Sequence, residues 1–140
     1  MNAELEKVLA HRYALYDRHI NPGTIFSDWG VECGPGWLEL LIELAEKFNE
    51  LDIDLLTIRV VEIKEKYWKL RIHIEVPAFQ DTSDLSAFID AIENRSSYLC
   101  EACGELKNAA IEHKCAIEKT TLEYHRQRFN YFLHNKCIIY

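Results

Sequence analysis

Thr57-Ile-Arg-Val-Val-Glu-Ile-Lys-Glu-Lys-Tyr-Trp-Lys-Leu-Arg-Ile-His-Ile-Glu-Val76 is the stretch whose reading decides the fold. Its apolar residues recur at every second position: Ile58 and Val60, then Val61 and Ile63, then Leu70, Ile72, Ile74 and Val76. That period belongs to a half-buried strand. The change of phase between Val60 and Val61 predicts a bulge. Lys64 to Lys69 separates the two runs, so they read as an antiparallel hairpin with one face on helices and the other toward water. Pro77, which has no ladder donor, ends the second run.

The elements on either side are helical. Upstream, Leu5, Val8, Leu9, Arg12 and Tyr16 predict an amphipathic helix over 4–16. Asn21-Pro-Gly23 turns the chain, and Thr24 to Cys33 reads as a short strand or as irregular structure. After Gly34-Pro35-Gly36, the residues Trp37, Leu40, Leu41, Leu44, Phe48 and Leu51 form one helical stripe. Glu39, Glu43, Glu46, Lys47 and Glu50 fill its other faces. Downstream, Leu85, Phe88, Ile89, Ile92, Ser96 and Leu99 predict a helix from about Asp84 to Leu99. Glu105 to about Asn135 also reads as helix, with Ile111, Cys115, Leu122, Phe129, Phe132 and Leu133 on its apolar side. It is one helix or two, and the β-branched pair Thr120-Thr121 is its weakest point. Residues 1–140 are therefore expected to form a single α+β domain. Its small antiparallel sheet is built on the central β-hairpin and packed by N-terminal and C-terminal helices.

Charge is distributed unevenly. Residues 1–56 hold 11 Asp and Glu against 4 Lys and Arg, whereas residues 57–140 hold 12 of each, so the net charge of −7 lies in the first two-fifths. A negative face repels phosphate backbones and attracts basic protein surfaces. Direct nucleic-acid binding is disfavoured unless the neutral half clusters its cations. No apolar run reaches the ~18 residues of a membrane span. The start of the chain lacks the basic and apolar blocks of a signal peptide, which makes the cytoplasm the expected location.

Three segments resemble, in order, a family of small uncharacterised proteins associated with phages and prophages. They are Trp29-Gly-Val-Glu-Cys-Gly-Pro-Gly-Trp37, then Glu62-Ile-Lys-Glu-Lys-Tyr67 with Leu70-Arg71, and Arg95-Ser-Ser-Tyr-Leu-Cys-Glu-Ala-Cys-Gly104. The second is similar to that family's V-K-E-K-F-G-G-L-R hairpin, except that Trp68-Lys69 stand where the family has Gly-Gly. The third is similar to its helix-to-C-x-x-C-G step. In that family the step is usually followed by a second Cys/His pair that completes a zinc site; this chain departs from it, with Ala-Ala-Ile-Glu-His-Lys-Cys115 and, later, His134-Asn-Lys-Cys137 instead, and the resemblance implies no activity.

Cys100 and Cys103, with two residues between them, can grip one soft metal ion, and Gly104 permits the tight turn. The remaining ligands are less defined. His113 and Cys115, two apart on a helix, would point about 200° from each other and could not share an ion. His134 and Cys137, at i and i+3, share a helix face and reach Cys100 and Cys103 if the chain reverses near Thr120. Cys33 is a third option. Cys115 and Cys137 also suit small buried positions. The candidate zinc ligands are therefore Cys100, Cys103, His134 and Cys137. No nucleophile, base and orienting group recur at a catalytic spacing, and no phosphate-binding glycine loop is present.

The sequence thus points first to a non-catalytic, acidic protein-binding factor. It would act as an inhibitor, immunity or anti-defence protein of phage type, directed at a basic protein surface through Glu39, Glu43, Glu46, Glu50, Asp52 and Asp54. Tyr67 and Trp68, framed by Lys66 and Lys69, have the composition of an interface hot spot. The alternative is a small zinc-binding structural or adaptor module using Cys100 and Cys103.

Overall fold

A computed structural model of the chain describes residues 1–77, 81–108 and 111–139, with 135–139 described by backbone alone. Helix α1 (Ala3–Arg12) starts where the Asn2 side chain accepts from the Glu4 and Leu5 amides, and it passes into a 3-10 turn at Ala14–Tyr16. Helix α2 (Ile25–Trp29) is a single turn closed by a reciprocal Thr24–Ser27 capping box. Strand β1 (Val31–Glu32) follows, and then a 3-10 turn at Pro35–Trp37 leads into helix α3 (Leu38–Glu50). Strands β2 (Arg59–Lys66) and β3 (Lys69–Glu75) form the hairpin. Helix α4 (Ser83–Ser96) and, after a 3-10 turn at Ile117–Lys119, helix α5 (Leu122–Ile139) complete the chain.

The α+β class and the hairpin agree with the alternation in the sequence, and the register slips between Val60 and Glu62, which leaves Val61 as the bulge. The sheet is mixed, however, because β1 pairs in parallel with β2, Val31 opposite Ile63. Two residues are too few to show a period. The outer edge of β3 is covered by helix α4: Ser96 Oγ accepts from Leu70 N at 2.8 Å and Glu93 Oε2 from Ile72 N at 2.9 Å. Capping those donors protects an edge that would otherwise pair with another chain.

Helix α3 is the centre of the core. Leu38, Leu40, Leu41, Leu44, Ala45 and Phe48 are buried, and so is Ile42. Packing against both α4 and α5 encloses more of the helix than a single stripe would. This changes the status of the glutamates assigned to its solvent faces. Glu43 is buried and receives Arg95 at 2.7 Å. Glu46 accepts from Tyr13 Oη at 2.6 Å. Glu39 is half-buried, and burial raises its pKa while the Arg128 guanidinium lowers it. Glu4, also in the acidic segment, pairs with Arg126. Glu50 is exposed beside Lys47, and Asp52 and Asp54 are exposed. Three of the front-half carboxylates, Glu4, Glu39 and Glu43, are thus met by arginines from the rear half.

The largest departure from the sequence reading is at residues 105–121. Leu106 pairs with Leu99 in an antiparallel bridge, residues 112–116 carry no helix, and the final helix begins at Leu122, just after Thr120-Thr121. Ile111, expected on a buried face, is exposed. Among the described residues, no helix is long and apolar enough to cross a membrane.

Candidate metal centre

The end of α4 delivers Leu99 and Cys100 into a tight hairpin. Cys100 N donates to Glu105 O and Gly104 N to Cys100 O, both at 2.8 Å, while the Leu99–Leu106 bridge closes the loop around the cysteines. Gly104 has φ +82°, and a Cβ there would run into the Arg128 guanidinium, so this position requires glycine. The loop lies against the Gly34-Pro35-Gly36 turn. Gly36 N donates to Glu101 O at 2.6 Å, and Gly36 approaches the Cys100 carbonyl too closely to admit a side chain.

Backbone without helix over 112–116 then brings His113 and Cys115 back to the same point. Side-chain donor atoms of Cys100, Cys103, His113 and Cys115 all lie within 4.8 Å of one another. On a helix His113 and Cys115 would point apart, and here, off a helix, they converge. The sulfurs of Cys100 and Cys115 are 3.3 Å apart. Two thiolates on one tetrahedral zinc stand about 3.8 Å apart, given Zn–S bonds of about 2.3 Å. The cluster therefore has the size that ion requires. The donor set, three sulfurs and one imidazole, is that of a structural zinc site. His113 Nε2 is buried, with a carboxylate as its polar neighbour. The Glu105 carboxylate stands 3.3 Å from it, and Lys119 pairs with that carboxylate.

Burial alone would push the Cys100 thiol up, but hydrogen bonds from Cys103, Ala102 and Cys115 together hold it below the ordinary value. Burial raises Cys103, and burial with hydrogen bonds to Cys100 and Cys103 pushes Cys115 up to about 12. Of the three thiols Cys100 is thus the readiest to ionise, and a divalent cation would extend deprotonation to all three.

Two residues of α5 complete the surroundings. Arg128 Nη1 donates to Pro35 O at 3.2 Å and approaches His125 Nδ1 at 3.1 Å, and Nη2 reaches Gly36 O at 3.4 Å. A guanidinium only donates, so His125 Nδ1 accepts and the imidazole proton sits on Nε2. His125 is buried, and burial followed by the Arg128 charge lowers its pKa. Arg128 thus ties helix α5 to the Gly-Pro-Gly turn beneath the cysteines.

The other candidates lie elsewhere. His134 is exposed, with Nδ1 at 2.7 Å from Asn130 O on its own helix, and it is not in the cluster. The Cys137 side chain is outside the described residues. Cys33 is buried and outside the cluster, its thiol raised by burial and Glu101. His73 is exposed opposite Glu62. The signal for the second ligand pair was present as His113-Lys-Cys115, but it depends on a loop that composition disguises as helix. Comparisons with family models, curated proteins and solved structures find no match to this chain.

Proposed function

We propose that this chain is a small zinc-binding domain in which Cys100, Cys103, His113 and Cys115 hold one structural ion. The convergence of four soft and borderline donors within 4.8 Å carries this reading. Four protein ligands leave no open position for water or substrate, so the ion's role is to fold and staple rather than to catalyse. What it staples is specific. The ligand loop, the Gly-Pro-Gly turn and helix α5 meet at this point, and the loop's own apolar residues Leu106, Ile111 and Ile117 are exposed and supply little core. The resemblance to the phage-associated proteins is consistent with this reading, since their C-x-x-C-G step precedes a second Cys/His pair. The acidic-binder reading is less well supported, because Glu39, Glu43 and Glu46 already have intramolecular partners.

Metal analysis of protein purified without added zinc tests the proposal. About one equivalent is expected, falling below about a tenth in Cys103→Ser and His113→Ala and unchanged in His134→Ala. Loss of metal in His134→Ala alone would move the site to α5, and metal-free wild type would end the proposal.

A further inference from the structure

The β2–β3 hairpin carries two features that work against its own stability. The first is the turn. Tyr67 and Trp68 occupy its two central positions with φ of 52° and 71°, the left-handed pair of a two-residue hairpin that Asn-Gly adopts most readily. Large aromatic residues are strained there, and neither ring is rewarded by burial, Tyr67 being 82% exposed and Trp68 53%. The second is the register, which sets Lys66 opposite Lys69 and Lys64 opposite Arg71. These successive cross-strand pairs put like charges face to face. Lys66 Nζ stands 5.5 Å from the Tyr67 ring centre and Lys107 Nζ 5.7 Å from that of Trp68. Among the described residues none of these cations makes a salt bridge.

We propose that this hairpin binds single-stranded nucleic acid, with phosphates along Lys64, Lys66, Lys69 and Arg71 and unstacked bases on Tyr67 and Trp68. Same-face residues of a strand are about 6.7 Å apart and directly opposed ones about 5 Å, so the cations form two short facing rows, Lys64 with Lys66 and Lys69 with Arg71, a patch suited to a polymer with one charge per unit. Exposed aromatic rings beside such a row suit free base faces, which a duplex hides. An open groove of about 470 Å³ continues the row, with Lys66, Tyr67, Lys69 and Arg71 facing Asp90 and Glu93 of α4. Glu93 and Glu65 are engaged by backbone amides, of Ile72 and Trp68 respectively, both at 2.9 Å. The acidic balance of the chain resides in residues 1–56, and the neutral half does cluster its cations. Nothing in the row reads base edges, so binding is tolerant of sequence.

Fluorescence anisotropy of labelled oligothymidylate with the full chain provides the test. Affinity should fall about 50-fold between about 50 and 200 mM salt, as four phosphate contacts on a single strand require. Tyr67→Asn with Trp68→Gly should weaken binding by at least about 30-fold, by removing two stacking rings. That variant suits the left-handed turn, so it separates lost binding from lost folding. Lys64→Gln with Lys66→Gln should flatten the salt dependence. Three results would each overturn the proposal: no binding at about 50 mM salt, undiminished binding by the Asn-Gly variant, or an oligoglutamate peptide bound as tightly as the oligonucleotide. The last would assign the surface to an acidic protein partner instead.

Discussion

The β2–β3 hairpin and the Cys–His loop are both excursions from the helical core, yet they are held by opposite means. The hairpin has a ladder from Arg59–Glu75 to Lys66–Lys69 with one bulge at Val61, and its inward residues Val60, Ile63, Leu70 and Ile72 are buried. It is secured well enough to tolerate a strained tip. Among its described residues the loop from Leu99 to Thr121 has one bridge and one 3-10 turn, and it leaves Leu106 and Ile117 in solvent. A segment with so little backbone pairing and burial cannot offset its own ordering entropy, so another source must fix it. The difference teaches that regular structure absorbs local strain, whereas an irregular loop at this size needs a cross-link.

Removing the metal should widen that difference most. Chelator, or Cys103→Ser, should leave the loop amides unprotected in hydrogen exchange while those of β2 and β3 stay protected, and should lower Tm by about 10 °C or more. Equal loss of protection in both regions would mean the loop is not separately stapled. Arg128→Ala comes next. It removes the tie between α5 and the Pro35–Gly36 carbonyls and should cost about 2 kcal/mol in denaturant unfolding, with zinc still bound. If the variant lost zinc as readily as Cys103→Ser, the arginine would belong to the site itself.

A pH series sharpens the same contrast. The His125 pKa is lowered in the fold, so below about 6.5 the unfolded chain takes up a proton that the native state refuses. Its contribution is present above that pH and is lost as pH falls toward the depressed folded value. Between about pH 7 and 5, His125→Gln should therefore lose less stability than wild type. Parallel curves would show that His125 does not titrate differently in the two states. The smallest effect belongs to the hairpin: Tyr67→Asn with Trp68→Gly should raise stability by about 1–2 kcal/mol through relief of the left-handed strain. Destabilisation by that change would show the two rings packing in solution.

The hairpin, its bulge and the α3 stripe were legible because each rests on local periodicity, which backbone geometry imposes on any chain. The loop was misread because Ile111 and Cys115, four apart, mimic a helical stripe that Leu122 and Phe129 seem to continue. Only two residues before Thr120 supported that helix. Glu43 and Glu46 of α3 were legible as helix but not as partnered, since Arg95 and Tyr13 arrive from 52 and 33 residues away.

By itself, the sequence determined the α+β class, the hairpin and the paired thiols, because alternation and the Cys-x-x-Cys-Gly turn are short-range chemistry. Only the tertiary structure decided that His113 and Cys115 join Cys100 and Cys103, that Glu39, Glu43 and Glu46 meet partners inside the fold, and that four cations share one face of the hairpin. Those outcomes depend on where distant segments meet, and packing sets that for the whole chain at once.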